Sequence, residues 1–121
     1  MIVLKRRLFS FGKNMTDKLI ERLDRDRIED YDVDDRVPTD VISVTSDPTQ
    51  LSIYIPTDYE YSQYDIDDFI RSMAPHLRTT TRMDRNIYVM KLSGSLTFEQ
   101  FVKLVKYIIK TDDFCTIIDK D

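Results

Sequence analysis

At 121 residues, 41% apolar and 33% charged, the chain is one domain's worth of sequence, enough for a single core and too little for two. It has two glycines, Gly12 and Gly94, which excludes a phosphate-cradling loop and a dinucleotide fingerprint. Its single cysteine, Cys115, excludes an intrachain disulfide and a cysteine-built zinc site, and no cofactor motif is present.

The net charge of −4 is unevenly distributed. Residues 1–28 hold eight bases against four acids, and residues 29–70 hold twelve acids against the single base Arg36. Residues 71–121 hold nine bases against six acids. A fold constrains the placement of apolar residues more tightly than charge sign, so such blocks speak about partners and solvation.

Residues 1–13 form an apolar and basic arm. Met1–Leu4 is followed at once by Lys5, Arg6 and Arg7, the reverse of a secretory signal, and no apolar run approaches the ~20 residues that cross a bilayer. The expectation is a chain soluble and intracellular at synthesis, with no membrane contact. Ile2, Val3, Leu4, Leu8, Phe9 and Phe11 are too many apolar residues for a solvated tail, and the basic triplet does not suit a plain core strand. The arm therefore carries the strongest partner-binding expectation, at Ile2, Leu4, Lys5, Arg6, Arg7, Leu8, Phe9 and Phe11. Three placements stay open: strand addition to another subunit's sheet edge, seating on an acidic surface, or folding back on its own sheet.

Residues 14–28 read as an amphipathic charged helix with Thr16 as N-cap and Leu19, Ile20, Leu23 and Ile28 near one face. The apolar stripe is narrow, which predicts a helix on a surface and not in a core. Residues 29–40 (EDYDVDDRVPTD) show no period and a strong negative charge, which predicts a solvated acidic linker. Asp30, Asp32, Asp34 and Asp35 form its densest cluster and an acidic docking strip for a basic partner. A calcium loop would need glycine where Asp35 stands and glutamate where Val41 stands.

The remainder, 41–121, reads as an α+β domain. Val41–Thr45 and Leu51–Ile55 alternate about a turn at 47–50, which predicts a hairpin. A tyrosine-rich loop over 56–64 precedes a helix over Asp65–Leu77 that Pro75 should end. Thr79–Met83 and Ile87–Leu92 form a second hairpin, Thr97 caps a helix with Glu99 or Gln100 at the capping-box position, and Phe114–Ile118 closes the chain as a strand. The expected fold is an antiparallel sheet of four or five strands with two helices on one face, in the order β-β-α-β-β-α-β, after the arm and first helix. The two β-β-α halves correspond at about 32–34 residues, as a duplication or shared physics would produce.

Candidate chemistry is sparse. His76 has no nucleophile motif near it, and Cys115 alternates with Ile117 as a core strand residue would. No catalytic residue and no metal ligand is assigned, and the chain is not expected to be an enzyme. Tyr59, Tyr61 and Tyr64 are interleaved with acids, which suits an aromatic protein contact better than a nucleic-acid platform. Arg71, Arg78, Arg82 and Arg85 form a basic group outside the arm and last helix, and the acidic block opposes phosphate binding through them. Nucleic acid is not an expected partner, and an oligomer is left open.

The opening Ile2-Val3-Leu4-Lys5-Arg6-Arg7-Leu8-Phe9-Ser10 resembles the leaders of small uncharacterised tailed-bacteriophage proteins, as does the richness in Asp, Tyr and Ile with little Gly or Ala. The resemblance implies a setting, the virion or the host cytoplasm, and brings no functional residue with it. The expected function is a non-enzymatic structural or assembly component that binds larger proteins, other virion subunits among them, through its arm. The alternative is an acidic inhibitor that occupies the nucleic-acid-binding site of a host protein.

Overall fold

The computed structural model describes residues 15–120. The arm residues lie outside this range. Helix α1 (Met15–Arg25) leads into β1 (Tyr31–Asp34), β2 (Ser43–Thr45) and β3 (Ser52–Pro56). A short 3-10 turn (Thr57–Tyr59) opens α2 (Glu60–Met73), followed by β4 (Arg78–Asp84), β5 (Ile87–Ser93), α3 (Phe98–Asp112) and β6 (Cys115–Ile118). The six strands form one sheet in the order β1-β6-β2-β3-β5-β4. The class is α+β as expected, but the sheet is mixed: β6 runs parallel to both β1 and β2, and the other pairings are antiparallel.

The registers align Val33, Ile117, Val44, Ile53 and Met90 across one face. These residues share a single apolar cluster with Leu19 and Leu23 of α1, Ile66 and Ile70 of α2, and Phe101, Leu104 and Ile108 of α3. All three helices therefore cover the same side of the sheet. Alternation along each strand sends Asp32, Thr116, Ser43, Tyr54 and Arg82 to the other side. The chain crosses from β5 to β6 through α3 on the helix side. It crosses from β1 to β2 in the opposite lateral direction. Residues 35–42 make that connection, and Ser43 and Thr116 on the helix-free face are buried.

Two expectations are corrected at the start of this domain. The acidic linker is not a solvated tether, because β1 lies within it and pairs with β6 over its whole length. Tyr31-Asp32-Val33-Asp34 alternates apolar and acidic residues, so Tyr31 and Val33 pack on the core while the carboxylates point away. Helix α1 is likewise no surface rider: Leu19 and Leu23 are 0% exposed. Its end is a Schellman-type stop. Arg27 is left-handed (φ 61°), the Ile28 N–H donates to the Leu23 carbonyl (2.9 Å), and the Arg27 N–H to that of Asp24 (3.0 Å). Thr16 at its start donates to Asp119 Oδ1 (2.9 Å), tying the helix to the segment after β6.

The later elements follow the sequence closely. Asp47 closes the first hairpin by accepting from the Thr49 N–H (2.9 Å) and hydroxyl (2.7 Å), which holds its carboxyl below the usual range. Thr97 and Gln100 form a reciprocal capping box at α3, whose apolar residues are buried from Phe101 to Ile109. A third correction concerns 56–64, expected as a loop: residues 57–59 form the 3-10 turn and α2 already begins at Glu60.

Candidate protein-interaction surface

The acidic strip is built by strand geometry. Asp30, Asp32 and Asp34 are spaced by two along and just before β1, so they share the helix-free side of a sheet edge. The main chain of β1 is bonded on both sides. The Asp30 and Asp34 carbonyls accept from the Cys115 (3.1 Å) and Asp119 (2.9 Å) N–H groups. On the outer side, the Tyr31 N–H donates to Glu29 O (2.9 Å) and the Val33 N–H to Asp32 Oδ1 (2.8 Å). Asp34 accepts from the Arg36 main chain (3.1 Å) and guanidinium (3.4 Å), and those bonds hold its carboxyl below the usual range. Asp30, Asp32 and Asp35 are exposed. The strip is a row of carboxylates on a strand edge whose outward N–H groups are bonded within the chain, with Asp34 partly neutralised.

The tyrosine group divides. Tyr59 packs partly against the core and its hydroxyl donates to Asp40 O (3.3 Å), so it anchors the β1–β2 connection. Tyr61 and Tyr64 stand on the first turns of α2 and are 82% and 60% exposed. With Asp65 and Asp68 they follow helical i, i+3, i+4, i+7 spacing, one outward stripe of two rings and two carboxylates. The inward side of the same helix holds Ile66 and Ile70, while Phe69 stacks on Tyr107 at 4.1 Å between ring centroids. Exposed aromatic area on a rigid helix is what a protein contact uses.

The groups weighed for catalysis are placed apart. His76 is exposed and its Nε2 lies 3.3 Å from Ser95 O. Cys115 is buried in β6, where burial first and the Asp112 charge second push its thiol far above the usual range. Among the described residues no three carboxylate, thiol or imidazole groups converge to hold a metal ion. A surface depression beside Tyr64 is lined by Gln63, Asp67, Asp68, Arg71, Thr79 and Thr81. Of the four arginines within 71–85, Arg71 pairs with Asp67 (2.8 Å) and Arg82 with Asp84 (3.6 Å), while Arg78 and Arg85 are exposed.

Sequence reasoning missed the network that docks α1 on α3. Arg22 meets Glu99 through both terminal guanidinium nitrogens, one at 2.8 Å, and meets through Nε (3.2 Å) Asp26, to which Lys106 pairs in turn. The Arg22 bonds lower Glu99, and Lys106 first, then Arg22, lowers Asp26. The i,i+4 spacing of Arg22 and Asp26 was visible, but the partners on α3 lie 77 and 80 residues away. The arm residues assigned to partner binding lie outside the described range. No protein-family model, no curated protein and no solved structure shows significant similarity to this chain.

Proposed function

We propose that the chain is a non-enzymatic protein-binding component of a larger assembly, of the kind found in tailed bacteriophages. The arm supplies the primary attachment and Tyr61 and Tyr64 a second contact. The observation that carries this reading is the outward tyrosine pair on a helix whose inward side is locked into the core. Large aromatic rings left 82% and 60% exposed have a natural use in an interface, where they give contact area at low entropy cost. Catalysis is not part of the proposal, since His76 and Cys115 lie on different elements, one exposed and the other buried.

A second reading rests on a separate observation. Asp30, Asp32 and Asp34 project from one side of an edge strand at about 6.7 Å intervals, a rigid anionic row such as an inhibitor of a nucleic-acid-binding protein would present. Affinity capture from host lysate separates the two. The full chain should retain a defined partner, and removing residues 1–13 should reduce its recovery about tenfold, as should Tyr61→Ser with Tyr64→Ser. Recovery unaffected by either change, but abolished when Asp30, Asp32 and Asp35 become Asn, would replace the assembly reading by the inhibitor one.

A further inference from the structure

The two edges of the sheet are chemically unlike. β1 is four residues long, acidic, and its outward N–H groups are already bonded within the chain. β4 is seven residues long, and six of the seven are exposed. Asp84 and Ile87 flank the two-residue turn Arg85-Asn86, so they form a hydrogen-bonded pair and the ladder alternates from there. The main-chain groups of Arg78, Thr80, Arg82 and Asp84 therefore turn toward β5. Those of Thr79, Thr81 and Met83 turn outward, and among the described residues no strand meets them. The Leu92 N–H donates to Leu51 O on the β3 side of β5, as this alternation requires. Met83, also on the outward set, is 62% exposed.

We infer that β4 is a self-association edge whose occupant is β4 of a second copy, antiparallel and centred on Thr81, which continues the six-stranded sheet into one of twelve. Charge complementarity of the strand with itself selects this occupant. Centring on Thr81 sets Arg78 opposite Asp84 of the second copy at both ends, Thr80 opposite Arg82, and Thr79 opposite Met83. Centring on Thr80 sets Arg78 opposite Arg82, and centring on Arg82 sets that residue opposite itself; like charges directly opposite oppose pairing. One register is thus attractive and its neighbours are repulsive. In that register the outward groups of Thr79, Thr81 and Met83 meet their counterparts in three hydrogen-bonded pairs. Both helix layers fall on the same face, and the exposed Met83 gains the apolar part of Thr79. The Arg78–Asp84 pairs fall at non-hydrogen-bonded positions, where strands approach most closely, about 4.5 Å between Cα atoms. The contact is isologous and closes as a two-fold dimer.

The test is the mass of the full chain by light scattering and sedimentation from about 1 µM to 1 mM, with variants of β4. The wild type should pass from single to double mass with rising concentration. Thr81→Pro removes an outward N–H and leaves the ladder to β5 intact, which edge strands tolerate; it should stay at single mass. Asp84→Arg should weaken the dimer at least tenfold, and Arg78→Asp combined with Asp84→Arg should restore it. Because Cys115 is buried, an introduced thiol reports alone. Thr81→Cys places two sulfurs across a pair about 5.5 Å apart at Cα, within disulfide reach, and should cross-link on mild oxidation. Met83→Cys, equally outward but four residues out of register with itself, should not. A wild type that keeps single mass at 1 mM overturns the inference. So does equal cross-linking of the two cysteine variants, failure of the charge swap to restore a dimer in folded protein, or capture of a heterologous strand by a chain that never self-pairs.

Discussion

Leu23→Ala is the sharpest probe of how α1 relates to the rest of the domain. Leu23 is 0% exposed and belongs to the same cluster as Phe101 and Leu104 of α3. Truncating a fully buried leucine removes its transfer free energy and leaves a cavity, a loss of about 3 kcal/mol. Against a domain stability of about 5–15 kcal/mol that is a large fraction. At roughly 4 °C per kcal/mol the thermal midpoint should fall by about 12 °C. With an m-value near 1.5 kcal/mol/M the urea midpoint should fall by about 2 M, in one cooperative transition. Lys18→Ala on the exposed side of the same helix should change stability by less than about 0.5 kcal/mol. A Leu23→Ala shift below about 0.5 M, or a separate early transition for α1, would refute the packing argument and return the helix to a surface position.

Other consequences concern charge, backbone and the thiol. Asp112 sits in the last turn of α3, where burial first and the charges of Asp113 and Asp65 raise its pKa, against the lowering bond from Ser62. A raised folded pKa makes ionisation unfavourable in the fold, so Asp112→Asn should raise the thermal midpoint at pH 7, and the gain should shrink as pH falls through the carboxylate range. Asp26, Asp34, Asp47 and Glu99 have lowered values, so their contribution is complete above about pH 5 and lost progressively as the pH falls below it; a pH titration of the urea midpoint should show the decline there. Arg27 and Asp113 hold left-handed backbone at helix ends (φ 61° and 62°), and glycine at either position should stabilise by up to about 1 kcal/mol in chemical denaturation. Thr97→Ala breaks the capping box and should cost about 1 kcal/mol by the same assay. Cys115 should react with a thiol reagent only on the timescale of unfolding, since it is buried and its thiolate is disfavoured.

Most of the domain could be read where local signals agree. The Asp47 turn, the Thr97 capping box and the alternation of Ser52–Pro56 each determine a neighbour in sequence, and the order β-β-α-β-β-α-β follows from them. What was hidden depends on distant residues. Tyr31 and Val33 become strand residues only because Cys115 and Ile117 lie beside them, and four carboxylates within 30–35 masked a two-residue alternation as a charged linker. Helix α1 shows two buried leucines one turn apart, too narrow a stripe to announce burial until α3 covers it. The start of α2 looked like a loop because Tyr61, Ser62 and Tyr64 have weak helix propensity, which its packing through Ile66 and Ile70 overrides. For the candidate surface, clustering identified Tyr61 and Tyr64, but only the structure separates them from Tyr59. The pairing of charge along β4 was invisible until its edge was known to be open.

The most direct test of the proposed function is the affinity of the isolated partner for the full chain and for the chain lacking residues 1–13, measured at about 0.05 and 0.3 M salt. The assembly account predicts at least tenfold weaker binding without the arm, and a modest salt dependence from an interface built mainly on apolar and aromatic contacts. Undiminished binding by the shortened chain, falling steeply with salt, would contradict it.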